Sequence, residues 1–434
     1  MSRGRRKAKT KTAKRLITIH SQKGGVGKTM IALYLARKFA QQVDGGQGVR
    51  TVLLDADLTG TSLAEALPLR APKITETGFH EFHETRDLLR EISQEPGSQL
   101  PWSNPEGNRV QFLNDLLFCD PIRYGNLMDN SDFNKPSGFN KRQLLWKIAD
   151  PREDDQGGNE LGLLRVIPSS AMPRHIDRCI PYVYKEAATG FLENRLAQIV
   201  ISLWTEDWGM GKPFDVIVID TPPVIKGISR AVLELADDKP RTEDKCLSDV
   251  DDKTGGLSEA VRPHELRSTA IFVSSADVQD FVALTRTLDE SLLRWSKNAE
   301  SSRKGRSASK VISEDRVRLL LNRIPAVGVE TGNGLQLLKE RYTIVNYYTE
   351  QYLQYHSPQY GSLKRASRGK NALTPSPLAA KEDRTFTITV DEVLGAMYVG
   401  RLQMERFLYS GEIDEGIEGL GALYRSLSNE HPEP

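Results

Sequence analysis

Nine consecutive residues, Ser21-Gln22-Lys23-Gly24-Gly25-Val26-Gly27-Lys28-Thr29, combine three glycines, two lysines and two hydroxyls. That mixture suits a polyphosphate. Glycines let backbone N–H groups turn inward around anionic oxygens. Lys28 reaches the β- and γ-phosphates, and the Thr29 hydroxyl ligates Mg²⁺. Three aspartates complete the set: Asp55 and Asp57 in Asp55-Ala56-Asp57, and Asp220 after Val216-Ile217-Val218-Ile219. A carboxylate pair at the end of a strand beside such a loop sits where the metal and the attacking water must be, and Asp220 holds Mg²⁺ through water. The chemistry these residue types point to is the binding of a polyphosphate with Mg²⁺ and its attack by water.

Each group needs an element to position it. Leu16-Ile17-Thr18-Ile19 reads as a buried strand, and Ile31 to Ala40 has helical apolar spacing. Strand, glycine loop and helix in that order put the positive end of the helix at the phosphates. Thr51 to Asp55 and Phe214 to Asp220 predict two further buried strands, the second with four β-branched residues in a row. Leu163 to Ser170, Thr269 to Ser275 and Val317 to Arg323 predict three more. Helices are expected near 187–203 and 282–295. Strands alternating with helices predict an α/β fold with a doubly wound, mainly parallel sheet flanked by helices.

The nucleotide loop departs from the ordinary pattern at Gln22, where a glycine is usual, and at Lys23, an added lysine before the two glycines. In this it resembles the deviant Walker A loop of the ParA/MinD family of P-loop ATPases. Asp55-x-Asp57, the strand ending Pro168-Ser169, and Asp220-Thr221-Pro222-Pro223 are similar to motifs of that family in the same order. The resemblance covers 16–67, 161–236 and 268–325. It implies that Lys23 crosses a dimer interface to the partner's phosphates and that Asp57 positions the hydrolytic water. It further implies that Asp55 supports the metal site and that Asn322 and Arg323 contact the adenine. Gly24, Gly25, Val26, Gly27, Lys28, Thr29 and Met30 would surround the phosphates, with Met30 replacing a second hydroxyl common in the family. Such an enzyme is a slow switch: ATP joins two chains and hydrolysis parts them.

Composition bounds the rest. The net charge of +1 hides eight basic residues and no acid between positions 3 and 15, so the remainder is mildly acidic. That arm, 1–15, reads as disordered and suited to nonspecific DNA. No apolar run approaches the ~18 residues that span a bilayer, and no amphipathic C-terminal helix is evident, so no membrane role is expected. Cys119, Cys179 and Cys246 match neither a disulfide framework nor a zinc spacing, which favours the cytoplasm. The segments 16–67, 161–236 and 268–330 form the expected ATPase core. Insertions are expected at 68–160, with a helix near 142–148, and at 237–267, an acidic loop. The histidine pair of His80-Glu81-Phe82-His83 reads as surface residues. A mainly helical extension follows at 331–434, with helices near 389–408 and 417–427 and a tyrosine cluster from Tyr342 to Tyr360. Two functions compete: a DNA partition or positioning switch whose hydrolysis a partner protein stimulates, and an accessory ATPase of a defence, secretion or mobile-element machine.

Overall fold

The computed structural model describes residues 14–44, 47–59, 69–75, 78–84, 112–118, 144–148, 163–170, 189–236, 266–275, 316–324, 385–389 and 418–428, with a few single positions between them. Arg3 to Lys11, the three cysteines, the acidic loop up to 265, the basic stretch 301–310 and the tyrosine cluster lie outside the described residues. The class is α/β, a mainly parallel sheet flanked by helices, as the strand–helix alternation predicts. The chain divides into two compact units. The first takes the described residues of Met1–Thr18, Ala32–Pro222 and Lys226–Ser268, and the second those of Ile19–Ile31, Pro223–Ile225 and Thr269–Pro434.

In the first unit lie most of β1 (Lys14–His20), most of α1 (Lys28–Gln41), a two-residue hairpin of β2 (Val43–Asp44) and β3 (Gln47–Gly48), and β4 (Thr51–Asp55). After these come β5 (Leu69–Thr75), β6 (Gly78–Glu84), α2 (Leu113–Phe118), β7 (Lys147–Ile148), β8 (Leu164–Ile167), α3 (Thr189–Thr205), β9 (Val216–Asp220) and α4 (Gly227–Leu235). The strand order is β1-β9-β4-β8. β4 runs parallel to both neighbours, with Leu53 opposite Val166 on one side and Val218 on the other. Every residue of β4 and β9 is buried. Strands buried on both faces need helices over them, and the apolar stripes supply these. On α3 the stripe is Leu192, Leu196, Ile199, Val200 and Leu203; on α4 it is Ile228, Ala231, Val232 and Leu235. The two helices pack against each other.

Lys14 and Arg15 belong to β1 rather than to a free arm. Lys14 Nζ donates to the Phe214 carbonyl and pairs with Asp215 at 3.6 Å, while Arg15 lies 5.7 Å over the Phe39 ring. The 68–160 stretch also contributes to the core. Phe112, Leu113, Leu117, Leu144 and Trp146 are wholly buried, each burial contributing about 1.5–3 kcal/mol. The helix expected near 142–148 is absent among the described residues 144–148: Trp146 bridges Val166 in antiparallel fashion and β7 follows it. Three consecutive buried side chains, Leu144 to Trp146, have no single helical face to share.

The second unit holds the end of β1, the nucleotide loop, most of β10 (Leu266–Ser275), β11 (Val317–Ile324), β12 (Thr385–Thr389) and α5 (Glu418–Ser428). β10, β11 and β12 are successive parallel neighbours. The C-terminal extension thus supplies a strand as well as a helix. Thr389, expected to begin a helix, ends β12, and the rest of that expected helix lies outside the described residues. α5 matches the helix expected near 417–427 in spite of Gly419 and Gly421.

Candidate nucleotide site

The loop that carries Lys23 and Lys28 starts where β1 ends. His20, the last residue of the strand, is wholly buried and stacks on Phe272 with ring centroids 5.5 Å apart. Burial, reinforced by the charge of Lys28, lowers its pKa from 6.5 to about 3, so the ring is neutral at ordinary pH. Ser21 then turns the chain, its Oγ donating to the Lys23 carbonyl at 2.7 Å. Gly25 and Gly27 take φ values of +75° and +94°, a region that other residues enter only with strain. A Cβ at Gly25 would meet nothing within 4 Å, whereas one at Gly27 would stand 2.4 Å from Asn322 Nδ2. The Ile31 N–H donates to the Gly27 carbonyl at 3.1 Å and starts α1, with Lys28 buried at its first position. Thr29 and half-buried Met30 complete the first turn.

Lys23 is held within its own chain. Its Nζ lies 2.8 Å from Asp280 Oδ1, with the lysine 55% exposed and the aspartate 6%. Ser275, the last residue of β10, donates to the other oxygen of Asp280. On the loop's other flank the Val224 N–H donates to the Ser21 carbonyl at 3.0 Å, and the Ile225 N–H reaches Gln22 Oε1 at 3.5 Å, the outer limit of a hydrogen bond. Val224 has φ +71°, a cost of order 1–3 kcal/mol for a β-branched residue. Gln22, which stands where a glycine is usual, therefore reaches the segment that follows Pro222-Pro223. Asn322 donates to the Val26 carbonyl at 2.7 Å from a buried position on β11. Arg323 is the next residue of that strand, and its side chain lies outside the described residues.

The carboxylates lie in the first unit. Asp55 and Asp220 end neighbouring strands as register partners, and both are buried. The Ala56 N–H donates to the Asp220 carbonyl at 2.8 Å. Asp55 is engaged on both oxygens. Oδ2 accepts from Leu63 N–H at 3.0 Å, Ser169 Oγ at 2.7 Å and Ser169 N–H at 3.3 Å; Oδ1 accepts from Asp57 N–H at 3.3 Å. Burial pushes its carboxyl up to about 6, against the pull of the Leu63 and Ser169 donors, with Asp57 adding repulsion. This geometry makes Asp55 a tie between Asp57, Leu63 and Ser169. Asp57 is half-buried, and its Oδ1 accepts from Thr59 Oγ1 at 3.2 Å. Ser169, seen in the sequence only as a strand ending, is thus a positioning group for the loop that carries Asp57. Asp280 had no signal in the sequence at all.

The residues fit the groups that the sequence implies. The two left-handed glycines give a backbone cradle of the kind a polyphosphate needs. Within the first unit Asp55, Asp57 and Asp220 offer only hard oxygen donors, of the kind Mg²⁺ takes.

A family model described as "ParA: NUBPL iron-transfer P-loop NTPase" matches residues 12–88. Solved structures similar to the chain include McdA of Cyanothece in complex with ATP, at 13% identity and TM-score 0.41, covering 98% of this chain and 100% of that one. Another is a ParA family ATPase of Chlorobium tepidum, at 14% identity and TM-score 0.40, covering 95% and 99%. A third is the MinD cell division protein of Aquifex aeolicus, at 13% and 0.39, covering 96% and 99%. Residues 12–88, which carry the nucleotide loop and the first carboxylate pair, are therefore similar to ParA-type P-loop NTPases.

Proposed function

We propose that the chain is an ATP-hydrolysing switch of the ParA type that forms a homodimer in the ATP state and then binds DNA nonspecifically. The observation that carries this reading is the loop from Lys23 to Thr29, two lysines and three glycines set between a buried strand and a helix N-terminus. Lys28 and the backbone of Gly24 to Met30 hold the phosphates. Thr29 and Asp220 hold Mg²⁺, with Asp55 ordering the loop beside them. When bound, the metal neutralises charge on the β- and γ-phosphates. Asp57 accepts a hydrogen bond from the attacking water and orients it toward the γ-phosphorus. Lys23 leaves Asp280 to meet the phosphates held by a second chain, so its charge is added only when two ATP-bound chains meet. A partner protein speeds hydrolysis and resets the switch in the cytoplasm, on the nucleoid where DNA is bound.

A second reading, an accessory ATPase acting through protein partners, is favoured by one observation: Phe112, Leu113, Leu117, Leu144 and Trp146 of the 68–160 stretch are built into the core.

The test uses the Asp57→Ala chain, which retains ATP, with duplex DNA of mixed sequence and ATP·Mg²⁺ against ADP·Mg²⁺ over a salt series. The first reading expects binding with ATP only. With Lys14 and Arg15 engaged in β1, Arg3, Arg5, Arg6, Lys7, Lys9 and Lys11 remain. Six contacts at about 0.9 each limit the arm's part of the salt slope to about −5 per chain. Equal binding with ADP refutes the switch, and no binding with either nucleotide selects the second reading. Lys28→Ala abolishes nucleotide binding, and an Asp57→Ala chain that hydrolyses at the parental rate removes the water assignment.

A further inference from the structure

We propose that Asn114, in the 68–160 stretch, is a positioning residue for hydrolysis: with the Leu113 backbone it fixes Pro168-Ser169-Ser170, and through Ser169 it places Asp57. The inference deepens the reading of Asp57 as the residue that orients the attacking water, and it rests on that reading. Asn114 is the second residue of α2 and is wholly buried. Its Oδ1 accepts from the Ser170 N–H at 2.8 Å. The Leu113 N–H beside it donates to the Pro168 carbonyl at 2.8 Å. The start of α2 thus holds the residues on either side of Ser169. Ser169 itself turns to the carboxylates. Its N–H and Oγ donate to Asp55 Oδ2 at 3.3 and 2.7 Å, and Oγ also lies 3.4 Å from the Asp57 carbonyl.

One peptide unit carries the link. In a planar trans peptide the carbonyl of one residue and the N–H of the next point in opposite directions. Between Pro168 and Ser169 the carbonyl is held by Leu113 and the N–H by Asp55. Turning that plane strains both bonds at once. The bond from Ser170 to Asn114 fixes the following peptide, and with it the direction from which Ser169 Oγ meets Asp55. Asp55 passes the constraint on, because its Oδ1 accepts from the Asp57 N–H at 3.3 Å. Asn114, Ser169, Ser170 and Asp55 are all buried. A buried donor that loses its partner cannot turn to bulk water, so the backbone moves to pair it again. The helix is itself braced: the Phe112 ring lies 5.4 Å from that of Trp146, which bridges Val166 two residues before Pro168. A displaced Asp57 leaves phosphate binding to Lys28 and the glycine loop untouched. It does disturb the attack, where a misplacement of about 1 Å costs as much as about a hundredfold in rate.

The experiment measures kcat for ATP hydrolysis and, by calorimetry, the affinity for a non-hydrolysable ATP analogue with Mg²⁺. It compares the full parent chain with Asn114→Ala and with the isosteric Asn114→Asp, which keeps the acceptor for Ser170. Asn114→Ala is expected to lower kcat by between about tenfold and a hundredfold and to leave the affinity within about threefold of the parent. Asn114→Asp is expected to recover most of the lost rate. Three results would overturn the proposal: a parental kcat in Asn114→Ala, a fall in rate matched by an equal fall in affinity, or an Asp variant as slow as the Ala variant. A measurement on the parent does not depend on the variants folding. By hydrogen exchange the amides of Leu63, Ser169 and Ser170 should open as one unit, with protection within about tenfold of one another; a wider spread overturns the link. The Asp57→Ala chain separates the two readings. If it hydrolyses at the parental rate, the Asp57 assignment falls and this inference with it. If it is inactive while Asn114→Ala keeps the parental rate, only the inference falls.

Discussion

Gly25→Ala and Gly27→Ala should differ, and the difference measures the contact between the loop and β11. Both positions lie in the left-handed region, where a Cβ costs roughly 1–2 kcal/mol. At Gly25 that is the whole cost, because the new methyl meets nothing within 4 Å. At Gly27 the methyl would stand 2.4 Å from Asn322 Nδ2, so the amide must move. Moving it removes the bond to the buried Val26 carbonyl, which adds about 1–3 kcal/mol. Urea unfolding without nucleotide, followed by tryptophan fluorescence, should show Gly25→Ala losing about 1–2 kcal/mol and Gly27→Ala about 2–5 kcal/mol. A double-mutant cycle sharpens the comparison. In an Asn322→Ala background nothing opposes the methyl, so Gly27→Ala should cost no more than Gly25→Ala, a coupling of about 1–3 kcal/mol. Equal losses at the two glycines in the parent chain, or an additive cycle, would refute the reasoning.

Two further predictions concern other parts of the second unit. The His20 ring stays neutral in the folded chain down to about pH 3, while the unfolded chain takes up a proton below 6.5. Between those values the unfolded state holds more protons, so His20 contributes a loss of stability as pH falls from 6.5 and none above it. Between pH 6.5 and pH 5 that loss is about 2 kcal/mol, and His20→Phe, which keeps a ring against Phe272, should flatten this part of the denaturation–pH curve. A parallel curve for the variant would show that the ring is not the group responsible. Gly421 lies inside α5 with room for a methyl, the nearest atom being the flexible end of Arg425 at 3.4 Å. Gly421→Ala should therefore raise stability by about 0.5–1 kcal/mol, visible as a higher melting temperature; a lower one would mean that the methyl collides.

The features written in short stretches were legible in the sequence. Glycines at 25 and 27 are there because the backbone turns left-handed, and that need is local. The strand Thr51 to Asp55 was read with its observed bounds, and Val216 to Asp220 almost so, because runs of buried β-branched residues have few alternatives next to polar turns. The order of loop, Asp55-Ala56-Asp57 and Asp220 carried the α/β class for the same reason. What failed was what depends on distant neighbours. Leu144-Leu145-Trp146 has the composition of a helix, yet the pairing of Trp146 with Val166 leads the chain into a strand. Lys14 and Arg15 look like part of a free basic arm until Asp215 and Phe39 are placed beside them.

The sequence by itself determined the chemistry on offer: lysines, glycines and carboxylates at the ends of strands, with the charge to hold a polyphosphate. Only the tertiary structure decided what each of those groups is doing. It paired Lys23 with Asp280, directed the Asn322 amide to Val26, gave the Asp55 oxygens to Leu63 and Ser169, and buried His20 against Phe272. All of these but the Asp55–Leu63 bond join residues remote along the chain, and a hydrogen bond or an ion pair exists only at a distance that the fold, not the spacing of letters, sets.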